Sequence, residues 1–159
     1  PGPALEGLKS LGILEPLPVS DLSAAKVRLL VYVLHWRHLT NCLLFCYWVP
    51  FSYQQITNLV KFSTGWNTTT WELMKVGERC NNLTRIFNIR EGLDSSDDEL
   101  PARFFSPLTS GPLKGSSINK EAFEGARATY YRMMGWDERG IPTKEKLSEL
   151  GIEWALEYI

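Results

Sequence analysis

The long apolar stretch from Leu22 to Phe45 limits most strongly what this chain can fold into. Its apolar residues include Leu29, Leu30, Val31, Val33 and Leu34. A helix that is apolar on most sides must be buried on most sides. We therefore expect a central helix here, begun by a cap at Ser20 or Asp21 and stopped before Pro50, whose ring leaves no backbone N–H to donate.

The same stretch is too polar to cross a membrane. It is interrupted by Arg28, His35, Arg37, His38 and Asn41. A bilayer span needs about 20 mostly apolar residues with few charges. We expect no membrane helix and no membrane partner.

Two further helices are predicted between residues 52 and 92. The first has a stripe formed by Tyr53, Ile56, Leu59, Val60 and Phe62, and Gly65 is suited to its C-terminal cap. The second begins with Thr69 and Glu72 at the spacing of a capping box and ends at Gly92. Its predicted inward face consists of Leu73, Val76, Cys80, Leu83 and Phe87.

The charged residues of this last helix, residues 77–91, have the pattern of a solvated face with weak ion pairs. Asn82 and Asn88 are poor helix formers placed among arginines. We expect them to make hydrogen bonds to a neighbouring loop, which is a structural rather than a catalytic role.

The remainder of the chain is predicted to be a long ordered loop followed by two helices. Residues 93–117 are rich in proline, glycine and serine, and the acidic run at 94–99 is expected to be hydrated. Asn119 caps a helix whose inward residues are expected to be Phe123, Ala126, Tyr130 and Met133 or Met134. A last helix starts at Pro142 and Thr143 and ends at Gly151. Because no stretch alternates as a strand would, the fold class is all-α, an irregular helical domain with long ordered loops.

Composition narrows the possible functions. Apolar residues make up 44% and charged residues 22% of the 159, as in globular proteins. The net charge is −1 without a basic block, which argues against nucleic-acid binding. Three cysteines do not form a disulfide framework, so a reducing compartment, the cytoplasm, is expected.

The candidate metal ligands are few. Cys42 and Cys46 lie four residues apart, on one face of a helix. A closed zinc site needs four ligands and an iron–sulfur cluster usually four cysteines, and Cys80 brings the thiol count only to three. The residues alone favour buried, inert thiols. His35 and His38 could be ligands or an acid–base pair, but a helix flank facing a polar groove or solvent is the commoner arrangement.

A family resemblance extends this reading. The stretch "GERCNNLTRIFNIREG", residues 77–92, resembles the GERxxNxxRxFNxREG signature in the C-terminal region of tungsten-containing aldehyde:ferredoxin oxidoreductases. The stretches "DELPARF" at 98–104 and "GWDERGIPTKEKLSELGI" at 135–152 are also similar to that family. The resemblance covers nearly the whole chain.

The resemblance implies that residues 1–159 are the C-terminal helical domain of a larger multidomain enzyme. Within it we expect an initial segment at 1–20, main helices at 21–92, a long loop at 93–117 and C-terminal helices at 118–159. Such an enzyme holds a tungsten (or molybdenum) bis-pterin and a [4Fe–4S] cluster and oxidises a small aldehyde to a carboxylic acid, with ferredoxin as acceptor. Its partners are its own upstream domains, and a homodimer is compatible with the resemblance.

The family motif D-x-x-G-L-C gives Cys42 and Cys46 different roles. Its counterpart is residues 41–46, so Cys46 matches the cysteine that binds the cluster. Asn41 replaces the aspartate that contacts the pterin, Leu44 replaces the glycine, and Phe45 completes the implied cofactor contacts. An amide oxygen can still accept a hydrogen bond, although it carries no charge. The family's catalytic residues lie upstream, and none is assigned to this chain.

Two alternatives stay open at this point. One is a relative of the same superfamily that reduces an aromatic thioester. The other is a stand-alone helical interaction module without cofactor. The altered motif favours the module, whereas the retained Cys46 opposes it.

Overall fold

The computed structural model describes Lys9, Glu15 and residues 17–46, 48–49 and 51–159. Within these residues the secondary structure is helical, with a single isolated bridge between Trp136 and Pro142 and no strand. The all-α prediction is thereby confirmed. A short helix that the sequence also allows at about Leu5 to Ser10 lies, apart from Lys9, outside the described residues.

Five α-helices are described, which we number in chain order. They are α1 (Ala24–Cys42), α2 (Tyr53–Thr64), α3 (Thr70–Arg90), α4 (Lys120–Met134) and α5 (Lys144–Glu149). Short 3₁₀ helices occupy Ala102–Phe105, within the long loop, and Glu153–Tyr158. Among the described helices, none combines the length and the apolar character that a bilayer crossing needs.

Helix α1 is central, as expected, because it packs against both α3 and α4. Its buried residues form one stripe at four-residue steps, namely Val27, Val31, His35 and Leu39. The prediction of burial on most sides was wrong, since Leu30 is 48% and Val33 37% exposed. Both line a cavity between α1, α3 and α4, so the second apolar face of the helix faces this cavity.

The start of α1 also differs from the prediction. The cap is Ser23, whose hydroxyl accepts a hydrogen bond from the Lys26 backbone N–H at 3.4 Å. Asp21 instead accepts hydrogen bonds from the backbone and the hydroxyl of Ser23. The carboxylate therefore orients the capping residue rather than capping the helix itself.

Helix α2 forms between the predicted signals, but its inward face is narrower than the pattern suggested. Ser52 and Gln55 make a capping box, and Gly65 adopts the left-handed conformation (φ 74°) that closes the helix. Ile56 and Val60 are buried as expected. Phe62, predicted to face inward, is 80% exposed.

Helix α3 has the predicted capping box between Thr69 and Glu72, but a different face of it is buried. The buried residues are Leu73, Met74, Gly77, Glu78, Asn81, Asn82, Arg85 and Ile86. Phe87, predicted to face inward, is 59% exposed, and Val76, Cys80 and Leu83 are half-buried. The prediction of a solvated charged face was therefore wrong for Glu78 and Arg85, which are buried and each paired with specific partners, whereas Arg90 and Glu91 are exposed.

Glu78 is the first of these buried polar groups. Its carboxylate accepts hydrogen bonds from the Nζ of Lys75 at 2.7 Å and of Lys146 at 2.9 Å. Burial alone would raise the pKa of Glu78, but the two ammonium groups outweigh it and lower the pKa below its usual range. The carboxylate is thus kept charged inside the fold, and it connects α3 to α5.

Asn82 has the role that was predicted for it. Its side-chain oxygen accepts a hydrogen bond from the indole N–H of Trp136 at 2.8 Å, and its Nδ2 donates to the Glu78 carbonyl at 3.0 Å. Trp136 lies in the connection after α4, so this is a contact to a neighbouring loop. A fully buried amide with both ends satisfied fixes the position of that loop.

Arg85 extends the network to two loops. Its Nε donates to the Gly140 carbonyl at 2.8 Å and its Nη1 to Asp98 Oδ1 at 2.9 Å, while Nη2 lies 2.7 Å from Oδ2 without hydrogen-bond alignment. The Tyr131 hydroxyl also donates to Asp98. The acidic run is therefore not merely hydrated, because Asp98 anchors the long loop to α3 and α4.

The C-terminal helices follow the predicted boundaries. The side chain of Asn119 caps α4 by accepting from the Ala122 N–H at 2.7 Å. Met134 and Tyr131 are the buried residues of α4, while Met133 is 38% exposed. Thr143 caps α5, and the left-handed Gly151 follows its end.

Candidate cofactor site at the end of helix α1

Helix α1 ends at Cys42, three residues before the predicted end at Phe45. The Leu44 N–H bonds back to the Asn41 carbonyl and the Phe45 N–H to the Thr40 carbonyl, each at 3.0 Å. This pair of bonds is a Schellman motif, which turns the chain sharply out of the helix. The turn separates Cys42, the last helical residue, from the loop that carries Cys46.

The turn requires a left-handed backbone at Leu44, whose φ is 57°. Leu44 is the only residue other than glycine with a positive φ in the described part of the chain. A leucine pays about 1–2 kcal/mol in this conformation, whereas a glycine adopts it freely. Leu44 also occupies the glycine position of D-x-x-G-L-C, so the motif and the backbone agree on the register.

Cys46 and Asn41 are both exposed on this turn. Cys46 has a free thiol, and its carbonyl accepts a hydrogen bond from the Val49 N–H at 3.2 Å. The prediction of buried, inert thiols was wrong for Cys42 and Cys46, which are exposed, while Cys80 is half-buried. For Cys46 the early helix end is the reason, because it carries this cysteine out of the helix and into a surface turn.

Phe45 lies between these exposed residues but points the other way. Its ring packs 5.4 Å from the ring of Phe51 and joins a buried cluster. The buried members of that cluster are Leu39, Ile56, Val60 and Leu73. Phe45 therefore holds the turn onto the core, and a contact from this residue to a cofactor would have to come from its backbone.

Cys42 faces a different neighbourhood from Cys46. Partial burial and a hydrogen bond with the Cys80 thiol raise the pKa of the Cys42 thiol. The Cys80 sulfur lies 3.7 Å from Nδ1 of His38. Cys42 and Cys46 are therefore both exposed, but one ends the helix and the other lies in the loop that follows it.

His35 is not on a polar flank, as the sequence suggested, but buried between α1 and α3. Burial lowers its pKa to about 4, against an opposing effect of the Glu78 charge. Its Nε2 has no hydrogen-bond partner among the described residues. A neutral imidazole held in this way fills the helix interface.

The turn fits one ligand position of an iron–sulfur cluster. Two exposed thiols, Cys42 and Cys46, lie at this turn, and the family motif pairs only Cys46 with a ligand, whereas a [4Fe–4S] cluster takes four. Among the described residues, no group of three or more histidine, cysteine or acidic side chains has metal-binding geometry. The other three ligands of such a cluster would therefore come from outside the described residues.

A second opening, between α1, α3 and α4, was not indicated by any sequence motif. It is a cavity of about 680 Å³ with mainly apolar walls, and its lining includes Leu22, Leu29, Leu30, Val33 and Phe123. Arg85 and Trp136 also line it. The sequence feature that could have predicted this cavity is the second apolar face of α1. A helix with two apolar faces needs either two neighbours or an open cavity beside it.

Residues 3–152 match the family model described as "Aldehyde ferredoxin oxidoreductase, domains 2 & 3". That range is nearly the whole chain. It includes the turn at 41–46 and the buried polar network of α3.

Curated relatives agree with this match. The tungsten-containing aldehyde ferredoxin oxidoreductase of Pyrococcus furiosus is 36% identical over 137 residues, 83% of this chain and 22% of that protein. The protein of the same name from Pyrococcus horikoshii is 33% identical over 84% of this chain and 22% of its own length. The WOR-like subunit of an aliphatic sulfonate oxidoreductase from Pyrococcus furiosus is 38% identical over 63% of this chain and 17% of its own length. The chain thus spans about a fifth of the length of these relatives.

A solved structure has a similar fold. It is the active site complex BamBC of benzoyl coenzyme A reductase in complex with 1,5 dienoyl-CoA, with a TM-score of 0.67. The sequences are 23% identical, and the alignment covers 91% of this chain and 23% of that one. At this identity the likeness concerns the fold alone.

Proposed function

The chain belongs to the aldehyde ferredoxin oxidoreductase family, and on that premise we propose that it is the C-terminal helical part of a tungsten-pterin, iron–sulfur oxidoreductase. The proposed reaction is the oxidation of an aldehyde to a carboxylic acid, with the electrons passed to ferredoxin. Support comes from relatives that carry this name and are 33–36% identical over most of the chain. The proposed partners are the upstream domains of the same enzyme, which would supply most of the cofactor contacts.

Cys46 is the proposed cluster ligand of this chain. The observation that carries the proposal is its free, exposed thiol, two residues after a left-handed turn at the glycine position of the family motif. Cys42 is not proposed as a ligand, because the family motif places its cysteine at position 46. A bound [4Fe–4S] cluster would supply one-electron transfer between the pterin site and the acceptor.

Asn41 is the proposed pterin contact. Its side chain is exposed beside the turn, while its backbone carbonyl is occupied by the Leu44 N–H. Because the side chain is exposed, its oxygen can accept a hydrogen bond from an amino group of the pterin. It does so without the negative charge of the family's aspartate. Leu44, 91% exposed, would cover the cofactor with an apolar side chain, and Phe45 would hold the turn in place.

The family signature in α3 has an architectural part in this proposal. Glu78, Asn82 and Arg85 are buried and tie α3 to the loops and helix that follow it. Helix α3 in turn packs along α1, whose end carries the turn. Buried polar groups whose hydrogen bonds are satisfied favour a single packing arrangement. The position of the turn at the end of α1 is therefore fixed relative to α3.

The test compares two serine variants of the full-length protein. Cys46→Ser is expected to deplete iron and acid-labile sulfide per chain and to cut electron transfer to ferredoxin. Cys42→Ser is the matched control, one helical turn away, and is expected to keep the iron content near the wild-type value. Loss of the cluster in Cys42→Ser with retention in Cys46→Ser would overturn the ligand assignment and, with it, the role of Asn41.

A separate measurement tests the enzyme class. Metal analysis of the full-length protein is expected to find tungsten or molybdenum together with iron. The 159-residue chain by itself, reconstituted with iron and sulfide, is expected to bind no stoichiometric four-iron cluster. A full-length protein without these metals would instead support the helical interaction module.

A further inference from the structure

The cavity between α1, α3 and α4 has one polar wall among mainly apolar ones. Helices α1 and α4 line it with apolar side chains that include Leu30, Val33 and Phe123. Helix α3 lines it with polar side chains, among them Asn81, Arg85 and Asn88. Residues three and four positions apart share a helix face, so these three form one wall. A molecule in the cavity would therefore contact apolar surface on two sides and hydrogen-bonding groups on the third.

Two nitrogen atoms of this wall are buried donors without an aligned acceptor. Asn81 and Arg85 are each 7% exposed, and Asn81 Nδ2 and Arg85 Nη2 make no hydrogen bond with the described residues. Arg85 Nη2 is held by its ion pair with Asp98 but is not aligned with it for a hydrogen bond. Burial raises the pKa of Tyr130 and the nearby Asn81 amide partly offsets this, yet no aligned hydrogen bond joins the two. Because a buried donor without an acceptor is costly, both nitrogens would be stabilised by an oxygen inside the cavity.

The charged groups around the cavity have partners of their own. The ammonium group of Lys26 donates to two backbone carbonyls, and the guanidinium group of Arg127 donates to two others. The carboxylates of Asp21 and Asp98 accept hydrogen bonds at both of their oxygens. An anionic ligand would have to displace the partners of these cations, and a ligand hydroxyl would compete for carboxylate oxygens that are already in use. The cavity therefore favours a ligand that is uncharged and only accepts hydrogen bonds.

We propose that this cavity binds an uncharged, largely apolar molecule whose carbonyl oxygen accepts hydrogen bonds from Asn81 and Arg85. A carbonyl oxygen accepts two hydrogen bonds and donates none, which matches the two donors. The cavity volume of about 680 Å³ lies within the range of about 300–1,000 Å³ that ligand sites occupy. Leu30 and Val33, which line the cavity, are 48% and 37% exposed, so the cavity is open to solvent. The inference does not depend on the proposed reaction, because neither Asn81 nor Arg85 takes part in its chemistry.

The experiment measures binding to the full-length protein by equilibrium dialysis. The probes are methyl naphthyl ketone, ethylnaphthalene and naphthoate, each substituted at the same ring carbon. The three share an apolar ring system and differ in being an uncharged acceptor, a hydrocarbon and an anion. The ketone has no aldehyde hydrogen, so the proposed oxidation does not consume it. It is expected to bind about fivefold more tightly than the hydrocarbon and about tenfold more tightly than the anion, because only the ketone satisfies the donors without bringing a charge into the cavity.

Asn81→Leu tests the polar wall, because leucine is similar in shape to asparagine but has no donor. The ketone is expected to bind this variant about fivefold more weakly than the wild type, since one hydrogen bond is lost. Ethylnaphthalene is expected to bind the variant and the wild type equally. A purely structural effect of the substitution would instead weaken the binding of both probes.

Leu30→Glu tests the apolar wall by placing a carboxylate in the lining of the cavity. It is expected to weaken the binding of both neutral probes by about tenfold. Leu59→Glu is the matched control, because Leu59 is 39% exposed and does not line the cavity, and it is expected to leave both affinities unchanged. Equal affinities for the ketone and the hydrocarbon, equal losses of the two in Asn81→Leu, or unchanged binding in Leu30→Glu would overturn the proposal. So would the absence of binding to the full-length protein, which is the result expected if another of its segments fills the cavity.

Discussion

Gly77 of α3 lies directly against the backbone carbonyl of His35 of α1. A Cβ at position 77 would be 1.9 Å from the His35 oxygen, which is less than any real contact allows. The two helices therefore cross at backbone contact, within the central part of each. This contact fixes how closely α1 and α3 approach each other, and the His35 side chain is buried beside it.

Gly77→Ala is expected to destabilise the protein by about 2–4 kcal/mol. Alanine favours a helix by roughly 1 kcal/mol over glycine, but the added methyl group meets backbone atoms that cannot move independently of α1. Urea unfolding of both proteins measures the change in the free energy of unfolding.

Gly125→Ala is the matched control for this substitution. Gly125 is also inside a helix, but no atom lies within 4 Å of a Cβ built there. We expect it to stabilise the protein by about 0.5–1 kcal/mol. If both alanine variants were stabilised alike, α1 and α3 could not be in backbone contact.

Buried His35 is expected to make stability depend on pH between about 6.5 and 4.5. Burial lowers its pKa from 6.5 to about 4, so in this window the unfolded chain binds more protons than the folded one. Stability therefore falls as the pH falls, by roughly 2–3 kcal/mol from this group. The stabilised carboxylates, such as Glu78, lose their effect only below their usual pKa of 4.5.

His35→Gln tests this assignment, because glutamine does not titrate. Denaturant unfolding at pH 7 and at pH 4.8 gives the pH-dependent loss for each protein. The variant is expected to lose less stability than the wild type on acidification, with a remainder from half-buried His38, whose pKa is also lowered by burial. An identical loss in both proteins would place the titrating group elsewhere.

Leu44→Gly is expected to stabilise the protein by about 0.5–1 kcal/mol. The left-handed conformation at Leu44 costs about 1–2 kcal/mol, and part of the relief is offset by the greater freedom of glycine in the unfolded chain. Little burial is lost, since Leu44 is 91% exposed.

Leu43→Gly, one residue earlier, provides the contrast. Leu43 has a right-handed backbone (φ −83°) and packs against the core cluster, so the same change is expected to destabilise the protein. Thermal unfolding of the two variants shows the difference. A loss of stability in both would mean that position 44 does not need a left-handed residue.

Leu73→Ala and Phe87→Ala distinguish the two possible inward faces of α3. Leu73 is 1% exposed and its truncation is expected to cost about 2–5 kcal/mol, whereas Phe87 is 59% exposed and its loss is expected to cost less than about 1 kcal/mol. Chemical unfolding would report the order of the two costs, and the reverse order would restore the apolar stripe predicted from sequence.

The sequence predicts the helices of this fold well, because their ends are local chemistry. The capping box of Thr69 and Glu72, the cap at Asn119 and the left-handed Gly65 all act within one helical turn. The hydrogen bonds that begin and end a helix join residues only a few positions apart, so residue spacing in the sequence is enough to predict them.

The buried face of α3 could not be predicted in the same way. Apolar residues at helical spacing pointed to Leu83 and Phe87, yet the core side carries Glu78 and Arg85. Those charges are tolerated because Lys146, 68 residues after Glu78, and Asp98, in the loop that follows the helix, pair with them. No periodicity within the helix carries that information.

The candidate site was predicted by resemblance and not by physical pattern. Spacing placed Cys42 and Cys46 on one helix face, whereas a Schellman turn separates them. That turn depends on a leucine in a conformation that favours glycine, so no residue rule could predict it from Leu44 itself. Only the family's glycine at this position marks the break.

The partners of the α3 polar face have a consequence for the order of folding. The hydrogen-bond partner of Asn82 is Trp136, 54 residues later in the chain, and that of Arg79 is the Leu150 carbonyl, 71 residues later. At the usual pace of ribosomal synthesis, about 5–20 residues per second, this delay is roughly 3–14 seconds. Until then Glu78 can pair with Lys75 and Arg85 with Asp98, while Asn82 and Arg79 lack their partners. The polar network of α3 is therefore complete only after Leu150 has been synthesised, whereas the apolar cluster of α3 with α1 and α2 consists of residues made earlier.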